Sequence, residues 1–170
     1  AARPNSLEVA NDAILRIELD GSLAGGSGLT LVASDSVIRG LVINRFAGSA
    51  LSMGEEFCPS NAFCPVGGVR IQGNFFGTDV SGMVGLGNGV ALGRPNLLFG
   101  TGSANNIVGD QITELGGPTD PLAQTRNLIS AAGGDGIRIG STRAEARAVS
   151  HRIRNNIIGL SASGTTALSN

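Results

Sequence analysis

Residues 70–88 read RIQGNFFGTDVSGMVGLGN, and residues 152–170 read RIRNNIIGLSASGTTALSN. The two segments align without a gap, and eight of nineteen positions match. The matches are Arg70/Arg152, Ile71/Ile153, Asn74/Asn156, Gly77/Gly159, Ser81/Ser163, Gly82/Gly164, Leu86/Leu168 and Asn88/Asn170. Ile157 and Ile158 replace Phe75 and Phe76, so the apolar character is kept. Shorter echoes lie in VINRF (42–46), NNIVGD (105–110) and RNLIS (126–130). Asn44, Asn74, Asn106, Asn127 and Asn156 thus recur at uneven steps, the shortest running from Asn106 to Asn127. Self-similarity that keeps glycine, asparagine and apolar positions marks stacked structural units.

Outward from this repeat, apolar residues come in brief runs rather than at helical spacing. Leu15, Ile17 and Leu19 alternate with Arg16 and Glu18. Then follow LTLV (29–32), VIRGLVI (37–43), VRI (69–71), FF (75–76), VAL (90–92), NIV (106–108), NLIS (127–130), IRI (137–139) and NII (156–158). Gly, Asn, Asp or Ser flanks most of them, which is the signature of short strands between turns. Parallel strands cannot be joined by a tight hairpin and need a crossover of a dozen or more residues. A coil of about twenty residues supplies that crossover from three short strands and three corners, stacking at about 4.8 Å. The step from Asn106 to Asn127 is close to one such coil, and the longer steps are expected to carry insertions or an extra corner. An asparagine at a corner tolerates the left-handed conformation, and its amide can bond to the asparagine one coil away. The expected fold is all-β, a right-handed single-stranded parallel β-helix of roughly six to seven coils. It is expected to form one domain over residues 1–170, truncated at its C-terminal end.

IQGNFFGTDVSG (71–82), NNIVGD (105–110) and NLISAAGGDGIRI (127–139) resemble the repeats of pectate-lyase-like right-handed parallel β-helix proteins, in particular those of large secreted or surface-exposed bacterial proteins. IELDGSLAGGSGLTL (17–31) and SDSVIRGLVINRFAGSAL (34–51) resemble the coils that lead into them. The resemblance covers about residues 14–170 and implies that coils continue past Asn170. It is specific for fold and uninformative for function, because the matching positions are glycines, asparagines and core residues.

Composition agrees with many short strands and excludes several function classes. Charged residues are 15% and hydrophobic residues 41%; glycine numbers 27, and Trp and Tyr are absent. All twelve cations are arginine, and the formal net charge is −1. No basic stripe invites nucleic acid, and no apolar run is long enough to span a bilayer. Arg143, Arg147, Arg152 and Arg154, with Glu145 among them, read as a solvated loop. Residues 1–6 read as a boundary within a longer protein or a processed start. Cys58 and Cys64, each followed by proline, lack the further ligands zinc needs. A local Cys58–Cys64 disulfide is expected over two free thiols, placing the protein in a secreted or cell-surface setting.

Four segments, 54–67, 93–104, 110–125 and 140–150, read as loops preceding strands that lead to a ladder asparagine or its equivalent. They are expected to project from one side of the stack and are the candidate ligand-binding segments. Asp79 and Asp135 are corner residues that calcium could use with backbone carbonyls, though turn chemistry explains both. No cofactor is otherwise expected. Arg70 and Arg138 flank strand apolars and read as exposed strand positions. His151 has no evident Ser or Cys partner and reads as structural. GGSG (25–28) and GGDG (133–136) read as corners, because no helix follows to make a phosphate site. No catalytic residue is assigned. The expected function is a non-catalytic structural, adhesive or carbohydrate-contacting module. Its expected partners are a polysaccharide or another surface protein, with end-to-end self-association through uncapped coil ends. The alternative is a polysaccharide lyase or glycoside hydrolase of the same superfamily.

Overall fold

The computed structural model describes residues 1–54, 65–110, 122–140 and 148–170. Its regular structure is almost all strand, in parallel sheets. Among the described residues the helices are single 3-10 turns at Val90–Leu92 and Leu122–Thr125. The first sheet contains β1 (Ile17–Asp20), β4 (Leu41–Asn44), β8 (Phe75–Phe76), β12 (Leu128–Ile129) and β15 (Ile157–Ile158), in that spatial order. The second contains β2 (Leu29–Leu31), β5 (Leu51–Met53), β9 (Leu97–Phe99) and β13 (Ile137–Ile139). The third contains β3 (Val37–Arg39), β7 (Arg70–Gln72), β11 (Ile107–Val108) and β14 (Arg152–Ile153). A fourth, small sheet pairs β6 (Val66–Gly67) with β10 (Ser103–Ala104), and a parallel bridge from Ala104 to Val149 extends it.

The chain visits these sheets in a fixed rotation: first, second, then fourth where present, third, and first again. Every strand pair is parallel, and each partner lies one circuit away. Among the described residues the longest sheet holds five parallel strands. The circuits are longer than a minimal coil: Leu128 pairs with Phe75, and the whole of β9, β10 and β11 lies between them in sequence.

Apolar rows explain why these short runs become strands. Ile43, Phe76 and Ile129 of the first sheet share one fully buried core with Leu51, Met53, Leu97 and Phe99 of the second. Ile71 and Val108 of the third sheet and Val66 of the fourth complete it. Alternation sends the other residues of the first sheet to its opposite face, where Val42, Phe75, Leu128 and Ile157 form a second apolar cluster. Ala13 and Leu15 of the N-terminal segment pack on that face, as do Ala162 and Leu160. The middle strands of the first sheet are thus covered on both sides, which is why they read as continuous apolar pairs rather than alternating ones.

Several expectations are corrected. VIRGLVI is not one strand: Gly40, at φ 74, turns the chain so that β3 and β4 belong to different sheets. VAL (90–92) is a 3-10 turn between left-handed Gly89 and Gly93. Residues 93–104 are not a loop, since they hold β9 and β10. Of the other three segments, residues 55–64, 111–121 and 141–147 lie outside the described residues; the strands on either side are β5 and β6, β11 and β12, and β13 and β14.

The sequence repeat is also a repeat of geometry. Gly77 and Gly159 accept from the amides of Leu86 and Leu168, at 2.8 and 2.9 Å. Antiparallel bridges Thr78–Gly85 and Leu160–Ala167 close two equivalent hairpin-like loops. These loops follow β8 and β15, the two strands that flank β12 in the first sheet.

Candidate functional site

The predicted ladder residues divide into three corners. Asn74, Asn127 and Asn156 form one true ladder, each just before a strand of the first sheet. Asn74 Nδ2 donates to Asn127 Oδ1 at 3.2 Å, and Asn127 Nδ2 donates to Asn156 Oδ1 at 2.9 Å. Each amide also donates to a backbone carbonyl: Ile38, Ile71 and Val108 respectively. Asn106 occupies a different corner before β11, where its Oδ1 accepts from Val69 N. The step from Asn106 to Asn127 is therefore a change of corner and not one coil. Asn44 ends β4 and belongs to neither. None of the five is left-handed; the preceding residue is left-handed at three of the five, Gly73, Asn105 and Asn155, and not at Arg126 or Ile43. That placement is written in the dipeptides Gly73-Asn74, Asn105-Asn106 and Asn155-Asn156. A second buried asparagine pair lies outside the predicted ladder: Asn88 Nδ2 donates to Asn96 Oδ1 at 2.9 Å. The repeat marks it, because Asn88 accepts from Phe46 N as Asn170 accepts from Ala132 N.

The structure does not gather the candidate chemical residues. Asp79 accepts from Ser81 Oγ and from the amides of Met83 and Val84. Burial pushes its carboxyl up, but these hydrogen bonds outweigh burial and hold it below the usual value. Asp135 is paired with Arg138 at 2.7 Å. Among the described residues no three His, Cys, Asp or Glu side chains cluster as a metal group would. Arg70 lies on the same face of the third sheet as Arg152, with Ile107 between them. Arg152 pairs with Asp110 at 3.3 Å. Arg138 stands on the second sheet, apart from Arg70. Arg143, Arg147, Cys58 and Cys64 lie outside the described residues.

His151 does have a serine neighbour. Ser103 Oγ is 3.4 Å from its Nε2, and its Nδ1 faces the Asn106 amide at 3.4 Å. Phe99 packs on the ring, with centroids 4.9 Å apart. Ser103 is fully buried and its hydroxyl donates to Gly100 O at 2.7 Å, so this proton is committed and no nucleophile is presented. Burial lowers the histidine's proton affinity.

Two further constellations emerge. Glu18 and Asp20, two apart on β1 and so on one face, are both bridged by Arg45, at 3.3 and 3.0 Å. Asn44 donates to Glu18 Oε1 and to Thr78 O, and its own Oδ1 is the one fully enclosed side-chain atom without a partner among the described residues. The second is a cleft of about 220 Å³ on the outer face of the second sheet. Ser27, Ser49, Ser52, Leu92 and Arg94 line it beside Gly25, Gly26 and Gly48. A side chain at Gly48 would collide with Ser27 Oγ at 2.7 Å, so that glycine lets the two corners approach. Comparison with family models, curated proteins and solved structures found no match for this chain.

Proposed function

We propose that this chain is a segment of a right-handed parallel β-helix, acting as a non-catalytic structural or adhesive module of a secreted or cell-surface protein. The observation that carries the reading is the repeated rotation of the chain through the same parallel sheets around one shared core. Short parallel strands joined without helices satisfy their backbone and bury their apolar rows by winding once around that core per circuit. The right hand follows from the strong preference of parallel crossovers. The secreted setting rests on the resemblance and on the expected Cys58–Cys64 disulfide. Two reactive thiols in native, never-reduced protein would contradict that setting.

The non-catalytic reading draws support from six of the eight carboxylates among the described residues, Glu8 and Asp35 being the other two. Asp12, Glu18, Asp20, Asp110 and Asp135 are each ion-paired to an arginine, and Asp79 is held by its own turn. A lyase or hydrolase needs a base or a carboxylate pair free to exchange protons with a sugar. Incubation with a panel of acidic and neutral polysaccharides, with calcium present, should release no unsaturated or reducing ends. Release above a heat-denatured control would overturn the proposal in favour of the enzyme.

A second reading is end-to-end self-association through the unpaired edges of stacked parallel strands. Sedimentation should show mass rising with concentration; monomer throughout would contradict this reading.

A further inference from the structure

We infer that the cleft on the second sheet is a binding site for an oxyanion group, held by Arg94 and by serine hydroxyls on its floor. This does not depend on the scaffold proposal, since a catalytic centre elsewhere would leave the cleft as it is. The Arg94 side chain is exposed and has no hydrogen bond or ion pair with any described residue. Arg3, Arg45, Arg126, Arg138 and Arg152 are all engaged, and Arg94 differs from the unengaged Arg16 and Arg154 in lining a cleft. An arginine fork at the rim of a polar recess is suited to a group with several acceptor oxygens.

The floor supplies the independent observation. Ser49 is only 2% exposed, yet its hydroxyl has no partner among the described residues. What opening it has is onto the cleft it lines. The hydroxyl is unpaired but not fully enclosed, so a ligand in the cleft can reach it and supply an acceptor. Beside it, Ser52 Oγ lies 3.2 Å from Ser27 Oγ, and Ser52 is 1% exposed. Two hydroxyls that face each other use one proton between them, which leaves the other free to donate. Among the described residues no carboxylate lines the cleft. Donors on the floor and a cation at the rim suit an anion better than a cation. Leu92, 61% exposed, adds an apolar edge that can rest against the body of a larger molecule carrying the anionic group.

The test is amide-resolved NMR of the full chain, titrated with sodium sulfate at constant ionic strength. Saturable shifts should appear at Gly26, Ser27, Gly48, Ser49 and Ser52. Arg94→Gln should raise the half-saturation concentration about tenfold or more, the loss expected of a charge-assisted pair. Arg16→Gln, which changes a cation outside the cleft, should leave it unchanged. Ser49→Ala should weaken sulfate binding while leaving the unliganded protein as stable or more stable, which a structural role for the hydroxyl would not produce. Sodium acetate at equal ionic strength asks whether a planar carboxylate suffices. Dextran sulfate against unmodified dextran separates an ester on a polymer from a free ion: tighter binding per sulfate assigns the polymer, and equal binding the free anion. Both results support an oxyanion site. Shifts that do not saturate, or that persist equally in Arg94→Gln, overturn it.

Discussion

Asn127 is the residue whose surroundings explain most. Its Oδ1 accepts from the Asn74 amide and side chain, and its Nδ2 donates to Ile71 O and Asn156 Oδ1. It is fully buried, so Asn127→Ala leaves several groups unpaired away from water and should cost about 2–4 kcal/mol in urea unfolding. Asn156→Ala should cost only about 1 kcal/mol, because water reaches that end of the ladder. Equal losses would show that the ladder is not cooperative. His151 makes a pH prediction. Burial lowers its folded pKa below its unfolded value, so the unfolded chain binds more protons between the two. Stability should therefore be full above about pH 6.5, the unperturbed histidine value, and decline as pH falls toward the folded pKa. His151→Gln should flatten the Tm profile over that window. An unchanged slope would move the effect to another group.

At the scale of elements, the hairpin-like loops after β8 and β15 lean on each other through Gly82. It sits at φ 69, and a methyl there would meet Ala162 Cβ at 2.7 Å and Leu128 Cδ2 at 2.8 Å. Gly82→Ala should destabilise by about 1–3 kcal/mol, while Gly25→Ala, which meets no described atom within 4 Å, should stay within about 0.5 kcal/mol. Thermal unfolding of the two variants measures both. The loops show what the sequence can and cannot reveal. Their equivalence is legible, because Gly77, Gly82, Leu86 and Asn88 recur as Gly159, Gly164, Leu168 and Asn170. The strands FF, NIV, NLIS and IRI are legible from apolar pairs between turn residues. The break within VIRGLVI is not, since a glycine inside an apolar run is equally compatible with a bulge or a straight strand. LLF (97–99) is obscured because arginine, proline and glycine surround it. The cleft is invisible, as it joins Ser27, Ser49 and Arg94 from separate corners.

Across the whole molecule, the N-terminal segment is tied to the stack by one buried guanidinium. Arg126 donates to the carbonyls of Leu7, Glu8 and Ala10 and to Asn155 Oδ1, at 8% exposure. Burial lowers its proton affinity and Glu8 opposes that. Arg126→Met should free residues 5–12 to limited proteolysis and expose the outer face of the first sheet; unchanged cleavage would show that Ala13 and Leu15 suffice to hold the segment. The central claim is that strands far apart in sequence are parallel neighbours around one core. Scalar couplings across hydrogen bonds test it most directly, on isotope-labelled protein. One column of the first sheet joins Gly77 N to Ile43 O, Ser130 N to Phe76 O and Gly159 N to Ile129 O, at 2.9, 3.0 and 3.0 Å. All three amide-to-carbonyl couplings should be observed. Their absence with rapid solvent exchange of those amides, or couplings in an antiparallel register, would contradict it.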